Sequence, residues 1–387
     1  DFEHKVGNSS KTKFRLGSIT KPITAMAIYQ LEAMSELSVE DPVNNYIPDG
    51  PTEWEDIKIK HLINHTSGLV NFLDLPDYSA TQRLPSSPWQ TIDRFYELPL
   101  LSVPGEQTRY NSSAYVLLGA IIELVSGQSY ESFLDQHIFH PLKMYNTGYD
   151  RTELVLENRA RGYVRSKYGI ENANFLDMSI PYAAGALIST VEDLYLLDQA
   201  IAHGHAAIPA EIIATMNTPS PDGYAAGWHV DRFNGRRRVG HSGGIDGFCT
   251  IMVRYPEQKL TIVVLSNVVS WQYSPERVSH DLASIVFGEH YQIPRIKQVV
   301  KLDPRKYHLY TGVYEVEPGL KLRISIEGER WIAQFSEQPS FEIFPESESD
   351  FFVVDSDAQI SFFTNVRKEV THMILIQDGE QTRANKL

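Results

Sequence analysis

The chain has 387 residues, with 35 Lys and Arg against 49 Asp and Glu, a formal net charge of −14 and 42% hydrophobic residues. That length fits two or three domains of roughly 100–200 residues each, and a single cysteine, Cys249, excludes an internal disulfide. The acidic balance argues against a general nucleic-acid binder, whose phosphate affinity comes from clustered Lys and Arg, and no apolar run approaches the ~18 residues of a membrane span.

Residues 1–17 are polar, and the opening Asp1-Phe2-Glu3-His4-Lys5 lacks a charged-then-apolar leader pattern. From residue 18, Ala25, Ile28 and Leu31, with Met26 and Tyr29, recur at helical spacing. They predict a helix over 18–35, with Pro22 in its first turn, where a missing N–H costs little. Residues 40–180 alternate short helical patterns with Pro and Gly. The clearest helix spans 114–126, with Gly127 as its C-cap. Another is predicted over 190–203, opened by a capping box from Ser189 to Glu192.

Residues 239–244, 248–255 and 259–267 read as strands and 274–287 as a helix. After the charged stretch 295–301, alternating segments recur at about ten-residue intervals: 312–316, 320–326, 331–335, 351–355, 360–364 and 373–377. Turns such as Glu327-Gly328-Glu329 and Asp378-Gly379 separate them. This pattern predicts a small closed barrel or sandwich. Its aromatics, Tyr307, Tyr310, Tyr314, Trp331, Phe335, Phe351, Phe352, Phe362 and Phe363, read as barrel core.

Three short motifs carry chemistry. Ser18-Ile19-Thr20-Lys21 puts a hydroxyl and an amine on one face of a helix start. Serine needs a base to become a nucleophile, and a lysine desolvated by an apolar face loses proton affinity and can serve. The same spacing from Ser10 to Lys13 lies in a polar segment with no helix to fix it. Tyr110-Asn111-Ser112 precedes the apolar helix, where a tyrosine could relay a proton or simply pack in the core. In His241-Ser242-Gly243-Gly244, glycines permit close backbone approach. The N–H groups of Gly244 and Ser18 could hold an oxyanion, or the segment is a bulge with a structural histidine. Arg236-Arg237-Arg238 would turn at least one guanidinium toward the cleft side, or form a solvated edge. His203-Gly204-His205 lacks the support a metal site needs and reads as a loop. Cys249 reads as a small buried residue.

Taken together and in this order, these motifs resemble the serine β-lactamase and penicillin-binding-protein superfamily. The match is to its class C β-lactamase-like branch of D,D-carboxypeptidases, D-aminopeptidases and esterases. Phe14-Arg15-Leu16-Gly17-Ser18, His61-Leu62-Ile63-Asn64-His65-Thr66-Ser67-Gly68-Leu69, Pro104-Gly105-Glu106, Gly185-Ala186-Leu187-Ile188-Ser189-Thr190 and Gly227-Trp228 extend the likeness over roughly residues 1–290. The resemblance implies an α/β plus all-α hydrolase domain over 1–298, with an antiparallel sheet flanked by helices and a helical subdomain at roughly 40–180. A lipocalin-like all-β barrel over 299–387 would follow.

The resemblance further implies acylation of Ser18, with Lys21 as base, Tyr110 relaying the proton and His241 supporting that step or the substrate. Ser112, Gly243 and Gly244 would bind substrate or oxyanion. No metal and no cofactor are implied. The partner is a small-molecule or peptide substrate, with D-amino-acid peptides favoured, carboxylesters next, and a non-catalytic binding or assembly role third. Homo-oligomerisation is left open. The family's exported members favour a periplasmic or extracellular setting over a cytoplasmic one.

Three departures matter. Ser112 stands where the family usually has Asn, and His241 where classical β-lactamases have Lys, so efficient penicillin hydrolysis is not expected. Only 17 residues precede Ser18, which leaves open whether the family's first strands belong to this sequence.

Overall fold

The computed structural model describes all residues except 48–49, 167–168, 271–273, 292–296, 298, 318, 337, 354–357 and 378–379. It divides into two compact units: Asp1–Arg165, Ile170–Val269 and Pro275–Glu289 in the first, and Ser166–Gly169, Ser270–Ser274 and His290–Leu387 in the second.

In the first unit the 18–35 pattern opens as one 3-10 turn, Gly17–Ile19, and continues as α1, Thr20–Ala33. Every residue from Thr20 to Leu31 is buried. A helix enclosed on all sides belongs in the middle of a domain. It packs against α2, Ser113–Ser126, and the short helix Tyr182–Gly185. Gly127 ends α2 in the left-handed region, as its sequence predicts. Helix α3 spans Val191–His203, but the predicted capping box is displaced by one residue. The Thr190 side chain accepts from the Asp193 N–H, whereas Ser189 Oγ meets Thr147 Oγ1 at 2.7 Å.

Strands β1 (Tyr224–Ala225), β2 (Trp228–Phe233), β3 (Arg236–Ile245), β4 (Phe248–Tyr255) and β5 (Leu260–Ser266) form an antiparallel meander in spatial order. Helix α4, Pro275–Phe287, packs on β4 and β5. The register sets His241 opposite Met252 and Gly244 opposite Cys249. Phe14–Arg15 pairs with Leu187–Ser189 in a separate three-stranded sheet.

The 3-10 turn lies directly on β3 and β4. Thr250 Oγ1 donates to the Leu16 carbonyl at 2.7 Å. A Cβ on Gly243 would stand 2.0 Å from that carbonyl oxygen, and one on Gly17, at φ +55°, would stand 3.0 Å from Gly244 N. Glycine is required at both positions because backbone meets backbone there.

The second unit holds a closed meander of eight strands: β6 (Gly312–Glu317), β7 (Leu320–Glu327), β8 (Arg330–Phe335), β9 (Phe341–Pro345), β10 (Asp350–Phe352), β11 (Gln359–Thr364), β12 (Val370–Gln377) and β13 (Glu380–Lys386). Pairing of β6 with β13 closes it as a barrel rather than a sandwich. Tyr310, Tyr314, Trp331, Phe351 and Phe362 fill its core, with Trp331 and Phe351 ring centroids 4.9 Å apart. Phe352 is also buried and packs on Phe344, whereas Phe363 departs from the predicted core, being exposed and stacked on His372. Strands β9 and β13 escape the pattern because one is only five residues long and ends on Pro345, and the other, Glu-Gln-Thr-Arg-Ala-Asn-Lys, has almost no apolar alternation. The predicted turn at 378–379 and the end of the 351–355 segment lie outside the described residues.

The contact between turn and sheet predicts unequal effects for two adjacent glycines. Gly243→Ala should lower the stability of the first unit by about 1–3 kcal/mol or more. Gly244→Ala, whose Cβ would meet nothing within 4 Å, should stay within about 0.5 kcal/mol of wild type. Denaturant unfolding of the full chain measures both.

Candidate active site

Ser18 sits in the middle of the 3-10 turn, and Lys21 one turn later at the start of α1. Lys21 is 1% exposed, and its Nζ lies 3.0 Å from both Ser18 Oγ and the Ala184 carbonyl oxygen. The rings of Tyr110 and Tyr115 cover it, with centroids 4.8 and 5.6 Å away. No carboxylate pairs with the amine among the described residues, and burial lowers its pKa to about 7. The Tyr110 phenol is pushed the other way by burial, well above its ordinary value, although a hydrogen bond with Ser18 opposes that shift. It is therefore a protonated donor at neutral pH.

His241 lies on β3 with only 8% exposure, and its ring centroid is 6.0 Å from that of Tyr110. Burial, then the nearby Lys21, lowers its pKa to about 4. Its Nδ1 is 2.6 Å from the Ser242 carbonyl oxygen, which can only accept. The neutral ring therefore carries its proton on Nδ1 and leaves Nε2 as an acceptor. A lysine at this position would present a cation; His241 presents a lone pair.

Two cavities meet at Ser18 and Gly244. One, of about 540 Å³, is polar, with Tyr224, His229, Asp231, Arg238, His241 and Glu276 on its walls. Arg238 faces this cleft, so of the two placements left open for the arginine run it takes the cleft side rather than a solvated edge. It is not free, because it donates to Asp231 at 2.7 Å and Glu276 at 3.0 Å and touches His280 at 2.6 Å. Arg236 pairs with Glu289, and Arg237 donates to the Met216 carbonyl. Among the described residues lining the cavities, Lys21 and Arg238 are the lysine and arginine side chains. One is proton-poor and the other paired.

The second cavity, of about 430 Å³, is lined mainly by apolar groups, among them Phe72, Leu73, Leu176, Phe248 and Val269. Ser112 and Cys249 also border it. Cys249 is partly exposed rather than buried, because β4 turns it toward this cavity. Asn111 does not replace the carboxamide absent at 112. Its amide is spent internally, with Nδ2 donating to the Leu69 carbonyl at 2.6 Å and Oδ1 accepting from Ala114 N at 3.0 Å. The Ser112 N–H donates to Asn71 Oδ1 at 3.2 Å. His203 and His205 are both exposed, at the end of α3 and in the following loop.

His65 has a structural role that its sequence segment did not reveal. It adopts φ +60°, and its Nδ1 accepts the Asn111 N–H at 3.1 Å while its carbonyl accepts that of Arg109 at 2.8 Å. Its ring packs 4.5 Å from Tyr110 and 4.9 Å from Tyr224. Burial holds it neutral, so Nε2 carries the proton, and that atom has no partner. His65 thus clamps both sides of Tyr110. A histidine before Thr-Ser-Gly was the available signal, but its reach to residue 111 is tertiary.

The chain belongs to the β-lactamase family of serine hydrolases, whose description "Beta-lactamase" matches residues 1–283. Residues 297–385 match a domain of unknown function, DUF3471. Penicillin-binding protein 4* of Bacillus subtilis is 28% identical, over 99% of this chain and 91% of its own. The octameric penicillin-binding protein homologue of Pyrococcus abyssi has a TM-score of 0.69 at 26% identity, covering 100% of this chain and 91% of its own. A D-stereospecific amidohydrolase from Streptomyces sp. has a TM-score of 0.60 at 26% identity, covering 66% of this chain and 82% of its own.

Replacing His65 should act on Tyr110 without removing it. His65→Ala is expected to lower kcat for an activated ester by about 10- to 100-fold through misplacement of the phenol. His65→Asn, which tolerates positive φ and keeps an acceptor, should recover part of that loss. Steady-state kinetics with circular dichroism as a fold control reads the result; an unchanged kcat for Ala would show that Tyr110 is held without His65.

Proposed function

We propose that this chain hydrolyses small amides and esters through an acyl-enzyme on Ser18. The observation that carries the reading is the 3.0 Å approach of a proton-poor Lys21 amine to Ser18 Oγ. Neutral Lys21 accepts the Ser18 proton as Oγ bonds to the substrate carbonyl carbon. The carbonyl π electrons move to oxygen, where the N–H groups of Ser18 and Gly244 receive the charge. Collapse then breaks the bond to the leaving amine or alcohol, which takes the proton from Lys21 by way of the Tyr110 phenol. His241 Nε2 accepts a donor from the substrate or supports that transfer. Water enters by the same base catalysis, releases the acid and restores Ser18.

Amides of D-amino acids are the favoured substrates, supported by the likeness to the D-stereospecific amidohydrolase. Efficient β-lactam hydrolysis is disfavoured because neither Lys21 nor paired Arg238 offers a free cation for a carboxylate. Carboxylester hydrolysis by the same steps is the second reading, favoured by the absence of a carboxamide at Ser112. We place the boundary between hydrolase domain and barrel at 298/299. Likeness over the full chain to an octameric homologue supports a homo-oligomer.

A fluorophosphonate should label wild type at Ser18 and leave Ser18→Ala unlabelled. Ser18→Ala should also lose at least about a thousandfold in turnover. Wild type without label would instead favour a binding or assembly role. Among p-nitroanilides of D- and L-amino acids and p-nitrophenyl esters, ester turnover with no amide turnover would select the second reading.

A further inference from the structure

We infer that Asp246 anchors a free ammonium group on the acyl side of the substrate. The preferred substrates are then α-amino amides, α-amino esters or short peptides with an unblocked N-terminus and an apolar first residue. This rests on Ser18 being the acylated nucleophile.

Asp246 follows the last residue of β3 and borders the apolar cavity beside Ser18. Its Oδ2 is sealed from water and has no hydrogen-bond partner. One carboxylate oxygen has thus lost solvent without gaining a donor, which is costly unless something else supplies one. Burial accordingly raises the proton affinity of Asp246, although Arg15 and Arg83 oppose this from a distance. Arg15 is already committed to Asp150 at 2.7 Å, and Arg83 is exposed with Asn174 Oδ1 at 3.4 Å. Neither forms an ion pair with Asp246 among the described residues.

The position suits a ligand of definite chemistry. Asp246 lies in the turn between β3 and β4, two residues beyond Gly244. Gly244 borders both cavities with Ser18, and Asp246 shares the apolar one with them. An α-ammonium is separated from its carbonyl carbon by a single atom, so it sits near the strand end when that carbonyl is at Ser18. Phe72, Leu73, Leu176 and Phe248 offer apolar surface to the side chain on the same carbon. A carboxylate in place of the ammonium would face an uncompensated like charge.

The test compares p-nitrophenyl esters of D- and L-phenylalanine, their N-acetyl forms and 3-phenylpropionate. Wild type should prefer one free-amine enantiomer over its blocked and desamino forms by at least about tenfold in kcat/KM, and Asp246→Asn should lose about 10- to 100-fold on it alone. Asp246→Glu, which keeps the charge, should retain part of the preference. Unchanged fluorophosphonate labelling and melting temperature show that the variants keep the fold and the nucleophile. Equal use of free and blocked amines by wild type, or equal losses on all substrates in Asp246→Asn, overturns the inference. Calorimetric titration of Ser18→Ala with phenylalaninamide and 3-phenylpropionamide reads the same preference without turnover. Amine-dependent binding there, with no labelling of wild type, would sink the hydrolase reading and leave the ammonium site standing.

Discussion

The structure of the site depends on one buried amine. Lys21 is enclosed on a helix that the fold surrounds completely, and its hydrogen-bonding neighbours are Ser18 Oγ and the Ala184 carbonyl. Bringing its pKa from 10.5 to about 7 by desolvation corresponds to a cost on the order of 5 kcal/mol against an exposed lysine. That cost is fully present below about pH 7 and fades as pH rises toward the ordinary lysine value, because in that window the folded protein has already released the proton that the unfolded chain still holds. A penalty comparable with the net stability of a domain persists only where it serves chemistry. The helix Tyr182–Gly185, the rings of Tyr110 and Tyr115 and the clamp at His65 all bear on that amine or on the phenol covering it.

The second constraint is the backbone contact between the Ser18 turn and β3. It permits no side chain at Gly243 and forces Gly17 into the left-handed region. The result is a Ser18 hydroxyl fixed against the end of β3, between a polar and an apolar cavity. Charge then distinguishes this cleft from one built for carboxylates. His241 is neutral with an acceptor nitrogen, Arg238 is neutralised by Asp231 and Glu276, and Asp246 carries an unpartnered oxygen.

Much of this was legible in the sequence. The apolar periodicity after Ser18 and again before Gly127 located both central helices, because burial on every face leaves a dense apolar record. The Ser18 to Lys21 spacing, Tyr110 and the His241 strand were visible for the same local reason. What escaped depends on tertiary contact. Thr190 rather than Ser189 caps α3 because Ser189 is taken by Thr147. The commitment of the Asn111 amide to the Leu69 carbonyl is likewise tertiary and has no local signal. The grip of His65 on residue 111, and the meeting of Asp246 with a cavity wall from another layer, have no short-range signature. In the barrel, β13 was missed because strand pairing, not alternation, defines it.

The central claim is that burial brings Lys21 into titration near neutral pH, so that a large share of it is an unprotonated base there, and the most direct measurement is its own titration. Lysine labelled at Cε with carbon-13 gives a resonance for Lys21 that Lys21→Met removes. The account predicts a titration midpoint of about 7 for that resonance. A midpoint near the ordinary lysine value, about 10.4, would contradict it.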